Sequence, residues 1–265
     1  MSGHTLELTV PHNKGPDMAR GKLRIEDGAR RIRTVFDGEV IADTIRPRLV
    51  WEIPYFPTYY FHRDDVRMEL LSATGATKRS PSRGDAMLYD VKGGAVLAES
   101  AAYSHTDSPV EKLRDYVAFN WSSMDHWFEE DVEVHIHAKD PYTRVDILPS
   151  SRHIRIEIDG VEVANSTRAT LLFETGLPTR YYLPKTDVRL DLMTPTDTIT
   201  QCPYKGDANY WSVEVNGTVY TDHVWGYRHP VHESSSIAGL VAFYDEKVDV
   251  FVDGVKQDRP KTKFG

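Results

Sequence analysis

Apolar and polar residues alternate in several short segments, which is the pattern of strands with one buried face. In the segment 154–158 three isoleucines alternate with Arg155 and Glu157, and Asp159-Gly160 follows them. An Asp-Gly pair between two strand patterns predicts a tight turn whose residues need positive φ. The sequence therefore predicts a β-hairpin at this point.

This pattern occurs twice, at a spacing of 122 residues. Residues 32–38 align with residues 154–160, and the match continues without a gap as far as residues 84–86 and 206–208. A repeat of that length has the size of a small domain, so the duplication predicts two tandem domains. Features that both copies keep are expected to be scaffold or shared site, whereas a feature of one copy can be specialised.

Most of each copy is predicted to be strand. In the second copy further strands are predicted at 170–174, 180–183 and 188–193, and a hairpin at 211–220 turns on Asn216-Gly217. In the first copy Gly93-Gly94 lies near the corresponding turn.

One helix is predicted near the end of each copy. Ser108, Pro109 and Glu111 supply an N-cap, a first-turn proline and a capping glutamate, which specify a helix start. Apolar residues then follow at helical spacing, at Val110, Leu113 and Val117 in the first copy and at Ile237, Leu240, Val241 and Tyr244 in the second. The predicted fold class is mainly β with one helix per repeat (α+β).

The domain organisation follows from the limits of the repeat. The predicted segments are an N-terminal extension (1–29), repeat 1 (30–131), a linker (132–151), repeat 2 (152–256) and a C-terminal tail (257–265). The linker is short, so we expect the two repeats to be docked against each other.

Composition restricts the function classes. The net charge of −8 and the lack of a clustered Lys/Arg stripe argue against nucleic-acid binding. No apolar run approaches the ~18 residues that span a bilayer, and no secretion signal is recognisable, so we expect a cytoplasmic protein without a membrane partner. The single cysteine, Cys202, fits a reducing compartment.

Three strings in the second copy, at 171–184, 202–212 and 237–244, resemble the family called domain of unknown function 427, sometimes labelled nucleotidyltransferase-like. The likeness covers about residues 30–131 and 150–255. The resemblance implies a small, mainly β domain related to the tent-like β folds that bind zinc or ligands. The chain has neither a glycine-rich phosphate loop nor a paired-aspartate signature, so nucleotidyl transfer ranks low among the functions considered.

Cys202 and Lys205 are the first candidates for chemistry. An ammonium three residues from a thiol can stabilise the thiolate that a nucleophile requires. The first copy has Ser80 and Arg83 at the aligned positions, so the cation is kept and the thiol is not. The alternatives are an anion anchor that needs no thiol, and a buried, inert cysteine beside a surface lysine.

Glu174 ends an apolar strand and is a candidate general base. The alternative is a structural ion pair with Arg189 or Lys205, and the pairing with Arg189 would be matched by Glu52 and Arg67 in the first copy. Arg189 is also a candidate ligand-binding residue. Tyr181-Tyr182 places one ring on each face of a strand, so that one, taken as Tyr182, can wall a pocket.

An aromatic set distinguishes the second copy. Trp211, Trp225 and Tyr227 are candidates to enclose a small organic ligand, with a packed core as the alternative. His229, in the same region, is a candidate acid or base near neutral pH. His135 and His137 form half of a conceivable metal site, but no third ligand stands at a set spacing, so no metal is predicted. No cofactor is identified.

Two function hypotheses follow. The first is an enzyme acting on a small polar or anionic metabolite in repeat 2, with Lys205 anchoring charge, Glu174 or His229 moving protons and Cys202 assisting or reacting. The second is a non-catalytic ligand-binding or interaction module that uses the same residues. The oligomeric state cannot be read from the sequence.

Overall fold

The computed structural model describes residues 23–262, and the strands within that range pair antiparallel. Residues 1–22, which form most of the predicted N-terminal extension, and residues 263–265 of the predicted tail lie outside the described residues. None of the helical segments within 23–262 is long and apolar enough to cross a membrane.

Each repeat contributes the same succession of strands. Repeat 1 contains β1 Arg24–Asp27, β2 Ile32–Phe36, β3 Glu39–Thr44, β4 Arg48–Trp51, β5 Thr58–His62, β6 Leu71–Lys78, β7 Ala86–Lys92, β8 Leu97–Ser104, β9 Tyr116–Phe119, β10 His126–Glu129 and β11 Val132–Glu133. Repeat 2 contains β12 Val145–Pro149, β13 Ile154–Ile158, β14 Val161–Ser166, β15 Thr170–Glu174, β16 Arg180–Tyr182, β17 Met193–Cys202, β18 Gly206–Val215, β19 Thr218–Pro230, β20 Val241–Phe243, β21 Asp249–Val252 and β22 Val255–Lys256.

The helical content of the described residues consists of short 3-10 segments. These are Arg63–Asp65, Met68–Leu70, Glu111–Leu113, Trp121–Ser123, Lys185–Asp187, Leu190–Leu192 and His232–Ile237.

The duplication in sequence is a duplication in topology. Repeat 1 has a seven-stranded sheet in the order β1-β4-β5-β9-β8-β7-β6 and a four-stranded sheet in the order β11-β10-β2-β3. Repeat 2 has the corresponding strands in the same order, with the large sheet continued between β16 and β20 by the bridge of Leu183 to Val241. Strands β1 and β12 precede the predicted starts of the two repeats, and β11 follows the predicted end of repeat 1, so β11 and β12 both lie within the predicted linker 132–151.

The two sheets of each repeat enclose its main apolar core. In repeat 2 the buried isoleucines of β13 (Ile154, Ile156 and Ile158) pack with Val213, Val224 and Val250 from the other strands. The alternation along β13 leaves Arg155 and Glu157 only partly buried on the opposite face. Burial of this apolar surface, worth about 25 cal/mol per Å2, holds the two sheets together.

The predicted hairpin turns are confirmed. Asp159 and Gly160 have φ of 48° and 75°, and Asp37 and Gly38 repeat this geometry in the first copy. Asn216 and Gly217, with φ of 52° and 77°, join β18 to β19. A two-residue turn of this kind matches the right-handed twist of the strands that it joins.

The predicted helix in each repeat is wrong. In repeat 1 the capping motif starts only one 3-10 turn, and Val117 is a buried residue of the central strand β9. The Ser108 hydroxyl accepts from the Val110 N–H at 3.0 Å but also donates to the Arg83 carbonyl at 2.7 Å, so it pins a loop to this turn. In repeat 2 the 3-10 segment ends at Ile237, and Gly239 at φ +74° turns the chain into β20.

The strand predicted at 188–193 is also wrong. Leu190–Leu192 form a 3-10 turn, and Met193 begins the long strand β17. Arg189 and Asp191 are both exposed and pair with each other across this turn. The alternate apolar residues here differ in environment: Val188 is buried at a bridge, Leu190 is exposed in the turn, and Leu192 is partly buried against the core.

The two repeats are docked through the segment between them. The ring of Phe56 in repeat 1 stacks on His137 at 3.8 Å between centroids. Tyr142 donates from its hydroxyl to Glu26 of β1 at 2.5 Å. This segment therefore packs against repeat 1 before it enters β12.

Candidate functional site

One face of the large sheet in repeat 2 packs against the small sheet, and the other face carries a second cluster of aromatic and polar residues. We call this second cluster the aromatic face. Its buried members are Leu172, Tyr182, Ala208, Tyr210, Trp225, Tyr227, Ile237 and Ala242, with Tyr244 partly buried beside them. It contains several of the residues that the sequence proposed as a site.

Lys205 and Glu174 form an ion pair beside this face. The Lys205 ammonium lies 2.5 Å from Oε2 of Glu174, and the two side chains are 11% and 10% exposed. Glu174 ends β15, and Lys205 closes the turn that follows β17, with its N–H bonded to the Cys202 carbonyl at 3.2 Å. The fold therefore joins two residues separated by 31 positions into one nearly buried pair.

The loop that carries Lys205 is held from several sides. The Lys205 carbonyl accepts from the Val231 N–H at 3.1 Å, and the Ser234 hydroxyl donates to the Tyr204 carbonyl at 2.9 Å. Gly206 follows at φ +96°, a region that favours glycine. These contacts fix the point from which the ammonium reaches Glu174.

Aromatic side chains border the pair. The Trp225 indole donates to the Tyr182 hydroxyl at 3.2 Å, and the Tyr227 ring lies 6.4 Å from that of Tyr182. Burial is the main cause that raises the pKa of Tyr182 and of Tyr227, with the nearby Glu174 adding to it in both. Both hydroxyls are therefore protonated and uncharged at neutral pH.

Repeat 1 has the same carboxylate and cation. Glu52 and Arg83 pair at 3.1 Å, with side chains 19% and 15% exposed. Tyr60 and Tyr103 both donate to the other carboxylate oxygen, Oε1 of Glu52, at 2.6 and 2.8 Å. Topology places Tyr60 where repeat 2 has Tyr182, and Tyr103 where it has Trp225.

His105 completes the network of repeat 1, at the position of Tyr227. It is 1% exposed, its Nδ1 lies 3.1 Å from the Gly84 carbonyl, and its Nε2 lies 3.4 Å from Nε of Arg83. Burial, followed by the charge of Arg83, lowers the pKa of His105. The ring is therefore neutral, with Nδ1 donating to the carbonyl and Nε2 accepting from the guanidinium.

The two copies differ in how far the pair is satisfied. In repeat 1 both oxygens of Glu52 have donors. In repeat 2 the residues described supply Glu174 with one hydrogen bond, from Lys205 to Oε2, and supply the ammonium with that one acceptor. Trp225 donates to Tyr182 instead of to the carboxylate, so Oε1 of Glu174 and the remaining Lys205 N–H groups stay unbonded within residues 23–262.

Three predicted site residues lie elsewhere. Arg189 does not pair with Glu174, because it extends from the 3-10 turn and binds Asp191 at 2.6 Å; Arg67 likewise pairs with Glu39 and Glu69 in repeat 1. Trp211 packs in the core between the sheets, with the Lys185 ammonium 4.8 Å from its ring centre.

His229 is the third residue that lies apart. It is exposed near the end of β19, and its imidazole makes no hydrogen bond to another described residue. Its backbone carbonyl does approach Gly206, at 3.3 Å from the position that a Cβ would take. The chain thus brings the backbone of His229 to the Lys205 loop without bringing its ring to the pair.

Cys202 lies at the edge of the cluster. It is partly buried and has no disulfide partner among the residues described. It ends β17 opposite Gly206, two positions after Thr200, whose hydroxyl bonds Tyr210 at 2.8 Å on the aromatic face. Alternation along a strand directs Cys202 to that same face.

Sequence reasoning missed a second charged group on the aromatic face. Arg180 binds Glu246 through both terminal nitrogens at 2.8 and 2.6 Å and lies 3.6 Å from Asp245, with all three side chains at most 8% exposed. The Arg180 guanidinium lies 5.5 Å from the centre of the Trp225 ring. The string Tyr244-Asp245-Glu246 does not indicate this group from sequence, because the apolar spacing of Ile237, Leu240, Val241 and Tyr244 predicts a helix at this point.

The histidines of the linker do not join a wider cluster. His137 stacks on Phe56 and bonds the Ala138 carbonyl through Nδ1 at 2.8 Å. Within residues 23–262 no group of three or more His, Cys, Asp or Glu side chains is placed to share a metal ion.

Comparison with known proteins adds a family to this geometry. The model of a family described as "Domain of unknown function (DUF427)" matches residues 24–130 and matches again at residues 146–254. These two matches together cover well over half of the chain and correspond to the two sets of strands. No curated protein matches the chain.

Proposed function

This chain belongs to the DUF427 family, whose domain it contains twice, and we propose that it is an enzyme acting on a small polar metabolite. The proposal rests on the geometry of repeat 2. The site is the Lys205–Glu174 pair with the aromatic face beside it. Repeat 1 is the structural partner.

The observation that carries this proposal is the difference between the two ion pairs. Burying charge is costly, and a buried pair left with unused hydrogen-bonding groups is costlier than one that is fully bonded. Glu52 is fully bonded, whereas Glu174 and Lys205 keep an acceptor and donors without partners among residues 23–262. Among the described residues Arg33 Nε is the fully buried side-chain atom without a partner, so Oε1 of Glu174 is open to solvent, and a ligand that bonds the pair would replace the water that reaches it.

The residues have distinct roles in this proposal. Glu174 accepts a proton from an O–H or N–H of the ligand through Oε1, and the Lys205 ammonium stabilises the negative charge that develops on the ligand. Tyr182, Trp225 and Tyr227 form the wall and exclude water. Cys202 lies close enough to influence the pKa of Tyr182 and Tyr227, so we assign its thiol to the rim of the site.

A second candidate, a ligand-binding module without catalysis, is favoured by the burial of the pair. Both side chains are about nine-tenths buried and each neutralises the other, as in a recognition site that has only to hold its ligand. His229, the other proposed proton carrier, is exposed and apart from the pair. The two candidates share the site and differ only in turnover. The single thiol supports a cytoplasmic location for either candidate.

The test is a thermal-shift screen of the whole protein against a metabolite panel, followed by product analysis. Lys205→Met and Glu174→Gln are compared with matched substitutions in repeat 1, Arg83→Met and Glu52→Gln. A ligand present at 100 times its Kd stabilises the fold by about 2.7 kcal/mol, which is readily measured.

The outcomes separate the candidates. Stabilisation that survives the repeat 1 substitutions and is lost with those of repeat 2 places the ligand at Lys205 and Glu174. Product formation with that ligand then supports the enzyme, and saturable binding without product supports the binding module. A ligand whose stabilisation of the fold is unchanged by all four substitutions would bind at a site other than Lys205 and Glu174.

A further inference from the structure

We infer that the ligand group recognised by Lys205 and Glu174 is uncharged and carries a hydrogen-bond donor beside an acceptor, as a primary amide or a lactam does. This inference rests on the proposed function, because it names the chemistry of the ligand at the same site. It departs from the expectation that Lys205 anchors an anion.

The first argument is charge. The Lys205 ammonium is 2.5 Å from a carboxylate, so the pair has no net charge. An anion that bonded the ammonium would lie within a few ångströms of Glu174, and like charges at that distance repel strongly where water is largely excluded. A cation that approached Glu174 would meet the same difficulty with Lys205.

The neighbouring charges do not change this balance. Arg180 is neutralised by its two bonds to Glu246, and Asp245 lies beside them. Tyr182, Tyr227 and Tyr244 are neutral, because burial raises the pKa of each. The described groups on this face thus provide no excess of positive charge with which to hold an anion.

The second argument is the pattern of unused atoms. Glu174 retains Oε1 as an acceptor and Lys205 retains N–H donors, and the two belong to groups already in contact. A group whose N–H bonds the carboxylate while its C=O accepts from the ammonium satisfies both at once. A planar amide has this arrangement at fixed separation, with no rotamer to restrict.

The third argument comes from repeat 1, which fills the same acceptor from its own chain. The groups that it places on Oε1 of Glu52 are the hydroxyls of Tyr60 and Tyr103, both neutral donors. Repeat 2 has replaced one of these donors by Trp225, which donates to Tyr182 instead. In repeat 1, therefore, the free carboxylate oxygen of the ion pair is bonded by uncharged donors.

The experiment uses small probes and the indole N–H of Trp225 as reporter. Acetamide and 2-pyrrolidinone are compared with acetate and inorganic phosphate by 1H–15N correlation spectra of the whole protein near pH 7.5, with the Trp225 signal assigned from Trp225→Phe. We expect the neutral probes to shift this signal saturably, with a Kd at least about tenfold lower than that of acetate.

Two variants make the result specific. Trp225→Tyr copies repeat 1 and places a hydroxyl donor beside Glu174, so it should abolish the response of the remaining site signals to acetamide while the protein stays folded. Glu174→Gln leaves the Lys205 charge unbalanced, so the preference should reverse and acetate should bind at least about tenfold more tightly than acetamide. The second variant keeps the test decisive if the first fails to fold.

Each outcome has one meaning. Neutral probes that bind, with a preference that Glu174→Gln reverses, support the inference. Acetate or phosphate that bind wild type as tightly as acetamide, and lose binding in Lys205→Met, overturn it and leave the proposed site standing. If none of the probes shifts the site signals at high millimolar concentration, the inference is overturned, and the metabolite screen alone then decides the proposed function.

Discussion

Trp51 of repeat 1 and Tyr204 of repeat 2 hydrogen-bond to one residue, Asp140, in the segment between the repeats. The Trp51 indole donates to Oδ2 of Asp140 at 2.9 Å, and the Tyr204 hydroxyl accepts from its N–H at 2.7 Å. Trp51 directly precedes Glu52, and Tyr204 directly precedes Lys205. The two ion pairs are therefore tied to the same point of the inter-repeat segment.

This connection predicts coupling between Asp140 and Tyr204 in a double-mutant cycle. Tyr204→Phe removes the hydroxyl that accepts from the Asp140 N–H. Asp140→Ala keeps that N–H but removes the carboxylate that holds it in place through Trp51 at 2.9 Å and the Tyr142 N–H at 2.7 Å. Each is expected to lower the free energy of unfolding by about 1 kcal/mol, and the double variant by less than the sum. Urea unfolding of the four proteins measures the coupling.

The matched pair for this cycle is Tyr204→Phe with Asp253→Ala, since Asp253 bonds Arg152 and His153 and shares no hydrogen-bond partner with Tyr204 among the described residues. These two changes should add within about 0.3–0.5 kcal/mol. Additive behaviour of Asp140 and Tyr204 as well would show that the contacts of the two repeats with Asp140 are energetically independent.

The Lys205–Glu174 pair is predicted to be dispensable for stability as a pair but not singly. Lys205→Met alone leaves a nearly buried carboxylate without its cation, and we expect a loss of about 3 kcal/mol or more. In Lys205→Met with Glu174→Leu the remaining charge is gone, so most of that stability should return. Thermal and urea unfolding check this, and failure of the double variant to recover would assign the pair a mainly structural role.

The same double replacement in repeat 1 should not recover. Arg83→Met with Glu52→Leu strands the hydroxyls of Tyr60 and Tyr103, which would lose their acceptor inside the protein. A buried polar group without a partner costs about 1–3 kcal/mol. The difference in free energy of unfolding between the two double variants measures how much more the surrounding hydrogen bonds depend on the ion pair in repeat 1 than in repeat 2.

Gly206 is predicted to be less replaceable than Gly160. Both have positive φ, at +96° and +75°, so alanine at either position costs roughly 1 kcal/mol. A Cβ on Gly206 would also lie 3.3 Å from the His229 carbonyl oxygen and 3.4 Å from the Val231 nitrogen, whereas nothing lies within 4 Å of one on Gly160. Gly206→Ala should therefore unfold at a lower temperature than Gly160→Ala, and equal losses would contradict this geometry.

The local sequence pattern was enough to predict those strands and turns that depend only on neighbouring residues. The alternation at 154–158 reappears as alternate burial, and the Asp-Gly and Asn-Gly pairs adopt the positive φ that their turn type needs. Glu174, Tyr182, Trp225 and Tyr227 could be named because the repeat offered an internal comparison. Their contacts could not be derived, since Lys205 and Arg189 are equally plausible cations until β17 and β18 are folded.

The face occupied by each aromatic residue was the harder question. Tyr210 and Trp211 are adjacent, and only one can reach the aromatic face. The irregularity between Trp211 and Val213 in the pairing of β18 with β19 breaks the simple alternation that would have assigned them. The predicted helices failed for a related reason: apolar spacing over one or two turns also fits a 3-10 turn that leads into a buried strand.

Asp245 predicts an unusual dependence of stability on pH. Burial raises the pKa of Asp245 to about 7. The charge of Arg180 opposes that rise but does not cancel it, because Arg180 is bonded mainly to Glu246. The folded protein therefore holds a proton on Asp245 that the unfolded chain, with an aspartate pKa of about 3.9, releases. This contribution to the free energy of unfolding is complete below pH 4 and is lost as the pH rises through 7.

Between pH 5.5 and 8 the wild-type protein should accordingly become less stable, by several degrees in Tm, since about 1 kcal/mol corresponds to 2–4 °C for a chain of about this size. Asp245→Asn mimics the protonated group and should flatten the profile and raise Tm at pH 8. Asp253→Asn is the control: its side chain is half exposed and Arg152 lowers its pKa, so its titration lies below this window. If the Tm of Asp245→Asn still falls between pH 5.5 and 8 as steeply as that of the wild type, the proton is held by another group, and Asp245 is ionised beside Arg180 and Glu246.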